Sequence, residues 1–159
     1  MIKDSGNRRT FESGAVRDMG DPSDPATQKG RCDLIPLEVA ARIRMTGEDF
    51  VLHNVAVFQS TGCTEYLYKS LQCFCKAFYN ESYETMLLEV AKHFENGALK
   101  YGENNWRKGI PANCYIDSAV RHYLKFRRGD DDENHKVSVV WNIMCCIWEV
   151  DYHVHTDEG

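Results

Sequence analysis

Apolar positions recur at helical spacing through most of the chain beyond residue 60. Over residues 81–101, Tyr83, Met86, Leu87, Val90, Phe94, Ala98 and Tyr101 form one stripe, which predicts a long amphipathic helix ended by Gly102. Residues 113–128 repeat the pattern with Ile116, Ala119, Val120, Tyr123 and Leu124, and Gly129 breaks it. Residues 135–152 are apolar nearly all round (Val137, Val139, Val140, Trp141, Ile143, Met144, Ile147, Trp148), which predicts a central helix. Thr64 is placed to cap a helix over 65–79 whose stripe is Tyr66, Leu67, Leu71, Phe74, Cys75 and Phe78. A short helix opens at Leu34, with Asp33 as its cap and a stop near Thr46-Gly47. Residues 50–58 are ambiguous. Val51, His53, Val55 and Val57 alternate like a strand, while the length and flanks suit a helix.

The first 35 residues carry no such period. They are polar, rich in glycine, and hold Pro22 and Pro25, so alone they cannot bury enough surface to fold. They form either an arm laid across the domain or a flexible tail. The expected organisation is an all-α helical bundle over 36–159 with an extended N-terminal arm over 1–35. At 159 residues there is room for one domain. No apolar run is long enough for a membrane span, and residues 1–10 lack a signal-peptide core, so a cytoplasmic protein with no membrane partner is expected. The net charge of -5 argues against a partner bound as duplex nucleic acid. Seven cysteines, odd in number and without a C-x-x-C pair, read as free thiols.

The signatures of P-loop, dinucleotide-binding, zincin, serine-hydrolase and EF-hand proteins are all missing. What remains is charge placement. Residues 100–128 hold seven basic residues against Glu103 and Asp117, a local balance of +5, and the acidic run 130–133 and His135 follow at once. A basic band beside carboxylates and imidazole suits a phosphate-rich ligand with a divalent metal; it also suits a solvated helix face. Glu89 and His93 are spaced i,i+4, as a ligand pair or a surface ion pair, and Glu95 sits on the opposite shoulder. Asp117 and Arg121 share that spacing. Asn142, an amide in the most apolar helix, belongs either to core hydrogen bonding or to a site. Trp106, between Asn105 and Arg107-Lys108, can stack a base while Lys100 or Lys108 reaches phosphate.

Several blocks, in order, carry a family resemblance. Asp4-Ser5-Gly6, Arg8, Phe11, Gly14-Ala15, Arg17-Asp18, Lys29-Gly30-Arg31, Asp33-Leu34 and Pro36 stand first. Gly97-Ala98, Lys100-Tyr101-Gly102, Asn105-Trp106 and Lys108-Gly109 follow, and Arg121-His122, Gly129, His135 and Trp141-Asn142 close the series. This pattern resembles the phage and prophage proteins described as dATP/dGTP diphosphohydrolase, N-terminal domain, over nearly the whole chain except about 46–80, which reads as an inserted helical excursion.

The resemblance implies a relative of the MazG-like all-α pyrophosphohydrolases. These are oligomeric helical bundles that use Mg²⁺ (or Mn²⁺) to cleave nucleoside triphosphates to the monophosphate and pyrophosphate. The E-x-x-E and E-x-x-D pairs of that signature do not stand here in the usual form on facing helices. The implied activity is hydrolysis of purine (deoxy)nucleoside triphosphates in the host cytoplasm, encoded by a phage or prophage. The alternative is a phage protein that sequesters a purine nucleotide, such as a host defence signal, without turnover. Glu89 and His135 are the expected catalytic groups, and Glu89, Glu95, Asp132 and His135 the expected metal ligands. Arg8, Arg17, Arg31, Lys100, Asn105, Trp106, Lys108, Arg121, His122 and Asn142 are the expected substrate contacts. The apolar content of 50–78 further predicts a homo-oligomer, a dimer or tetramer, packed through the 46–80 excursion.

Overall fold

The computed structural model describes residues 4–43 and 47–153. The expected helix stop near Thr46 and the tail from residue 154 lie outside them. Six α-helices follow a two-stranded hairpin: β1 Arg8–Thr10, β2 Val16–Asp18, α1 Leu37–Ala40, α2 Phe50–Thr61, α3 Glu65–Phe78, α4 Tyr83–Tyr101, α5 Ala112–Arg128 and α6 His135–Asp151. Single 3₁₀ turns at Cys32–Leu34 and Asn105–Arg107 complete the described elements. The fold is an all-α bundle carrying a small hairpin. Among the described residues no helix is long and apolar enough to cross a membrane.

The helix starts are set by polar side chains. Asp49 caps α2 by accepting from the Leu52 amide at 3.1 Å, Ser82 caps α4 through Thr85, and Asn134 caps α6 through Val137. Thr64 does not cap α3. Its hydroxyl donates instead to Asp151, at 2.8–2.9 Å, and ties the start of α3 to the end of α6. Asp33 likewise caps nothing and pairs with Arg31, and the expected first helix shrinks to the single turn of α1.

The central helix is α6, with Val137, Val139, Val140, Ile143, Cys145, Cys146 and Ile147 all buried. Residues 50–58 resolve as helix. The α2–α3 hairpin belongs to the core rather than to an outer excursion: Val51, Leu52, Val55, Phe58, Leu67 and Phe74 are buried inside the chain. Phe74 packs against Tyr123 and Phe126 of α5 at 6.0 and 5.7 Å between ring centres. Most of the apolar content of this hairpin is therefore spent within the subunit, with Phe50 and Tyr68 left exposed. Exposed apolar residues are spread over several elements, among them Phe50 on α2 and Tyr68 on α3; on α4, Tyr83, Leu88 and Leu99 are exposed and only Met86 and Val90 are buried. All seven cysteines are free thiols.

The arm is fastened along its length. Gly14, at φ +84°, turns the hairpin. The side chain of Asn105 accepts from the Val16 amide and donates to its carbonyl, both at 3.0 Å, which mimics a third strand partner. Arg121 donates to the carbonyls of Lys29 and Gly30 and pairs with Asp117, and Asp117 accepts from the amides of Cys32 and Asp33.

Candidate functional site

The apolar stripe of α4 continues past Val90, where His93 and Phe94 meet Trp141 of α6. Phe94, Gly97, Ala98 and Tyr101 line a cavity of about 740 Å³, and Phe94 also packs against Trp141 at 5.6 Å between ring centres. Val16, Arg17, Asp18 and Lys29 of the arm form another wall, the 104–107 turn a third, and His122, Trp141 and Asn142 the inner end. The volume lies within the roughly 300–1,000 Å³ of small-molecule sites.

Cations and aromatic rings share this lining. Arg17 donates to Ser118 Oγ at 2.5 Å and lies over the Tyr115 ring, with its Nη1 buried and unpartnered among the described residues. Trp141 Nε1 and Asn142 Oδ1, also in the lining, are buried and unpartnered in the same sense. Arg107 sits over Trp106 and Trp148, and Trp106 packs against Phe94 and Trp148. Lys29 bonds Asp18, at 2.9 Å, and burial lowers its pKa.

At the inner end, His122 Nδ1 and His135 Nδ1 approach to 2.9 Å. Glu133 Oε1 lies 3.3 Å from the first and 3.5 Å from the second. His135 Nε2 faces Asp132 Oδ1 at 2.7 Å. Burial, then the neighbouring His135, Arg121, Lys125 and His93, pushes the pKa of His122 down to about 3, which leaves the ring neutral.

Of the residues expected from the sequence, Arg17, Trp106, Asn105, His122, Asn142 and Glu95 line the cavity. Asn105 and Arg121 are committed to the arm backbone, so neither is a free ligand group. Arg8 and Lys100 both pair with Asp4, Arg31 pairs with Asp33, and Lys108 lies on the exposed surface. None of those four lines the cavity. Glu89 is also outside it, acting on Tyr79, whose hydroxyl pKa is raised by burial and then by that carboxylate. The chain's single E-x-x-E spacing, Glu81 and Glu84, straddles the start of α4, and Glu81 is held by Lys136 at 3.0 Å. Among the described residues no cluster of three potential metal ligands includes Glu89 or Glu95. Of the four expected ligands, Asp132 and His135 come together, with Asp130, within 4.8 Å, while Glu89 and Glu95 stand apart from them. Glu133 at the inner end and Arg107, His93, Lys29 and Tyr101 in the lining stand outside the set expected from the sequence.

The family model described as dATP/dGTP diphosphohydrolase, N-terminal, matches residues 76–158, more than half of the chain. The chain belongs to this family. No curated protein and no solved structure matches it. The dATP/dGTP diphosphohydrolase match takes in α4, α5 and α6, which carry the inner end of the cavity, and leaves out the arm that supplies Arg17 and Lys29.

One ring in the lining makes a pH prediction. His93 lies 5.0 Å from Trp141, centre to centre, and burial lowers its pKa from 6.5. The unfolded chain then binds this proton more readily, so its contribution is complete above 6.5 and lost as pH falls from 6.5 toward the folded value. The melting temperature is expected to drop between pH about 7.5 and about 5, and less so in His93→Phe. Equal drops in both proteins would remove His93 from the effect.

Proposed function

We propose that this protein hydrolyses purine (deoxy)nucleoside triphosphates to the monophosphate and pyrophosphate in the α4–α5–α6 cavity. The observation that carries the reading is the pairing, in one cavity of a diphosphohydrolase-family chain, of aromatic rings with two guanidinium groups, Arg17 and Arg107, that have no ion pair among the described residues. Trp106 and Tyr101 offer faces for the base, and Arg17, Arg107 and Lys29 offer charge to the phosphates. Residues 1–35 act as the arm that closes the cavity over the domain of 36–159. The Mg²⁺ expected by resemblance does not fit the donors assembled here, so no step is assigned to it. The same reading places the protein in the cytoplasm of a bacterial host, encoded by a phage or prophage. It assembles as a dimer or tetramer, and the face available for this is the exposed side of α4.

A second reading, nucleotide sequestration without turnover, is favoured by one observation: the only E-x-x-E spacing is tied up at the start of α4. Chromatography of dATP, dGTP, ATP and GTP incubated with the protein and Mg²⁺, Mn²⁺ or Co²⁺ separates the two. Monophosphate and pyrophosphate in equal amounts are expected. Tight binding with no product under any metal would contradict hydrolysis and leave sequestration.

A further inference from the structure

The junction of α5 and α6 gathers two imidazoles and a carboxylate around one point. Their facing atoms, His122 Nδ1, His135 Nδ1 and Glu133 Oε1, are separated by 2.9, 3.3 and 3.5 Å. With metal–ligand bonds of roughly 2.1 Å, these separations correspond to ligand–metal–ligand angles of about 85–115° at a single ion. That spans octahedral and tetrahedral geometry. We propose that His122, Glu133 and His135 form a site for a first-row transition ion of the Mn²⁺, Fe²⁺, Co²⁺ or Zn²⁺ class.

The surroundings have the form such a site requires. His135 is 2% exposed and sits at the first turn of α6, where it cannot swing away without opening the core. Its Nε2 faces Asp132, so the proton belongs on Nε2 and the lone pair on Nδ1, toward His122 and Glu133. A carboxylate behind a ligating imidazole is the usual outer partner that fixes tautomer and ring orientation. His122, the other imidazole, lines the cavity, so an ion held here borders the space available to a ligand. Two neutral imidazoles and one carboxylate leave a divalent ion with net positive charge and open positions.

The donor set also selects the class of metal. Mg²⁺ takes oxygen ligands and retains much of its water, whereas imidazole nitrogen suits the later first-row ions. A competing arrangement, Asp130, Asp132 and His135 through its other nitrogen, also brings three donors together. Asp130 is already neutralised by Arg128 at 2.5 Å, and using Nε2 would take His135 from Asp132. The two arrangements are separable by mutation.

Insofar as the ion serves hydrolysis, the inference rests on the function proposed above; metal binding itself does not, and it is tested without nucleotide. The full chain, stripped with a chelator, is titrated with Co²⁺ alone by calorimetry and visible absorption. One ion per chain is expected, with a ligand-field spectrum containing nitrogen donors and no displacement by millimolar Mg²⁺. Glu133→Gln and His122→Ala are each expected to weaken Co²⁺ binding by at least about tenfold, and Asp132→Asn by about 10–100-fold. Asp130→Asn is expected to leave it unchanged. Glu133 is partly exposed, so Glu133→Gln keeps the fold even if the histidine variants do not; circular dichroism checks each. Absence of Co²⁺ binding, or wild-type affinity in folded Glu133→Gln and His122→Ala, overturns the site. Co²⁺ binding through these residues without pyrophosphate release supports the site and removes the hydrolase reading.

Discussion

Arg121→Ala is expected to destabilise the protein by about 3 kcal/mol, the low end of what removing one partner from a buried ion pair costs, because Asp117 is only partly buried. Arg121 is 9% exposed and donates to two arm carbonyls, Lys29 at 3.1 Å and Gly30 at 2.8 Å, while pairing with Asp117. Alanine leaves the Asp117 carboxylate without its cation and both carbonyls without their donor. Asp117 also receives the amides of Cys32 and Asp33, so the damage spreads to the turn that joins the arm to α1. A phosphate ligand at Arg121, as its charge suggests in the sequence, predicts a different outcome: weaker nucleotide binding with an unchanged melting temperature. Chemical denaturation distinguishes the two. A large fall in the midpoint is expected, and Arg121→Lys should recover only part of it, because an ammonium cannot reproduce the guanidinium's forked contacts. An unchanged midpoint would contradict the clamp.

The contrast between Arg121 and Arg17 shows what a sequence can and cannot display. Both are arginines in locally basic stretches of a chain whose net charge is -5, and nothing in composition separates them. The difference lies in which backbone carbonyls come back across α5, and that is decided by the path of the arm. The arm's own structure was equally hidden. Its strands are three residues each, and β1 is exposed throughout, so no alternation marks them. The helices were legible for the opposite reason. α4, α5 and α6 run 17 to 19 residues, long enough for a 3.6-residue period to stand out, and glycine marks the ends of α4 and α5.

Residues 50–78 illustrate a subtler limit. Their apolar content was visible, but its destination was not. An excess of apolar surface is the same in sequence whether it packs on a partner or completes the subunit's own core. Here Phe74 and Ser70 answer the question: one enters the aromatic cluster with Tyr123 and Phe126, and the other donates to the Val51 carbonyl in the core. The metal-ligand geometry was beyond reach in a similar way. His122 and His135 lie on different helices, across a connection that contains Glu133, and helical spacing relates residues only within one element. Glu89 and Asp132 carried the right chemistry for ligands. The first was turned toward Tyr79, and the second toward the back of His135.

The second large effect concerns the cavity itself and isolates it from stability. Gly97 lines the cavity from the C-terminal part of α4, and a Cβ built there meets no atom within 4 Å. Its backbone is helical, so alanine removes unfolded-state freedom without strain and is expected to stabilise the protein by about 0.5–1 kcal/mol. Tryptophan at the same position has the same backbone compatibility but fills the cavity. The decisive measurement is the affinity of a non-hydrolysable dGTP or dATP analogue for wild type, Gly97→Ala and Gly97→Trp, with melting temperatures recorded on the same samples. Gly97→Ala should melt at or above wild type. Gly97→Trp should remain folded and lose analogue affinity by on the order of 100-fold or more, because a pocket ligand buries most of its surface in the space the indole occupies. Wild-type affinity in a folded Gly97→Trp protein would contradict the assignment of the nucleotide to this cavity.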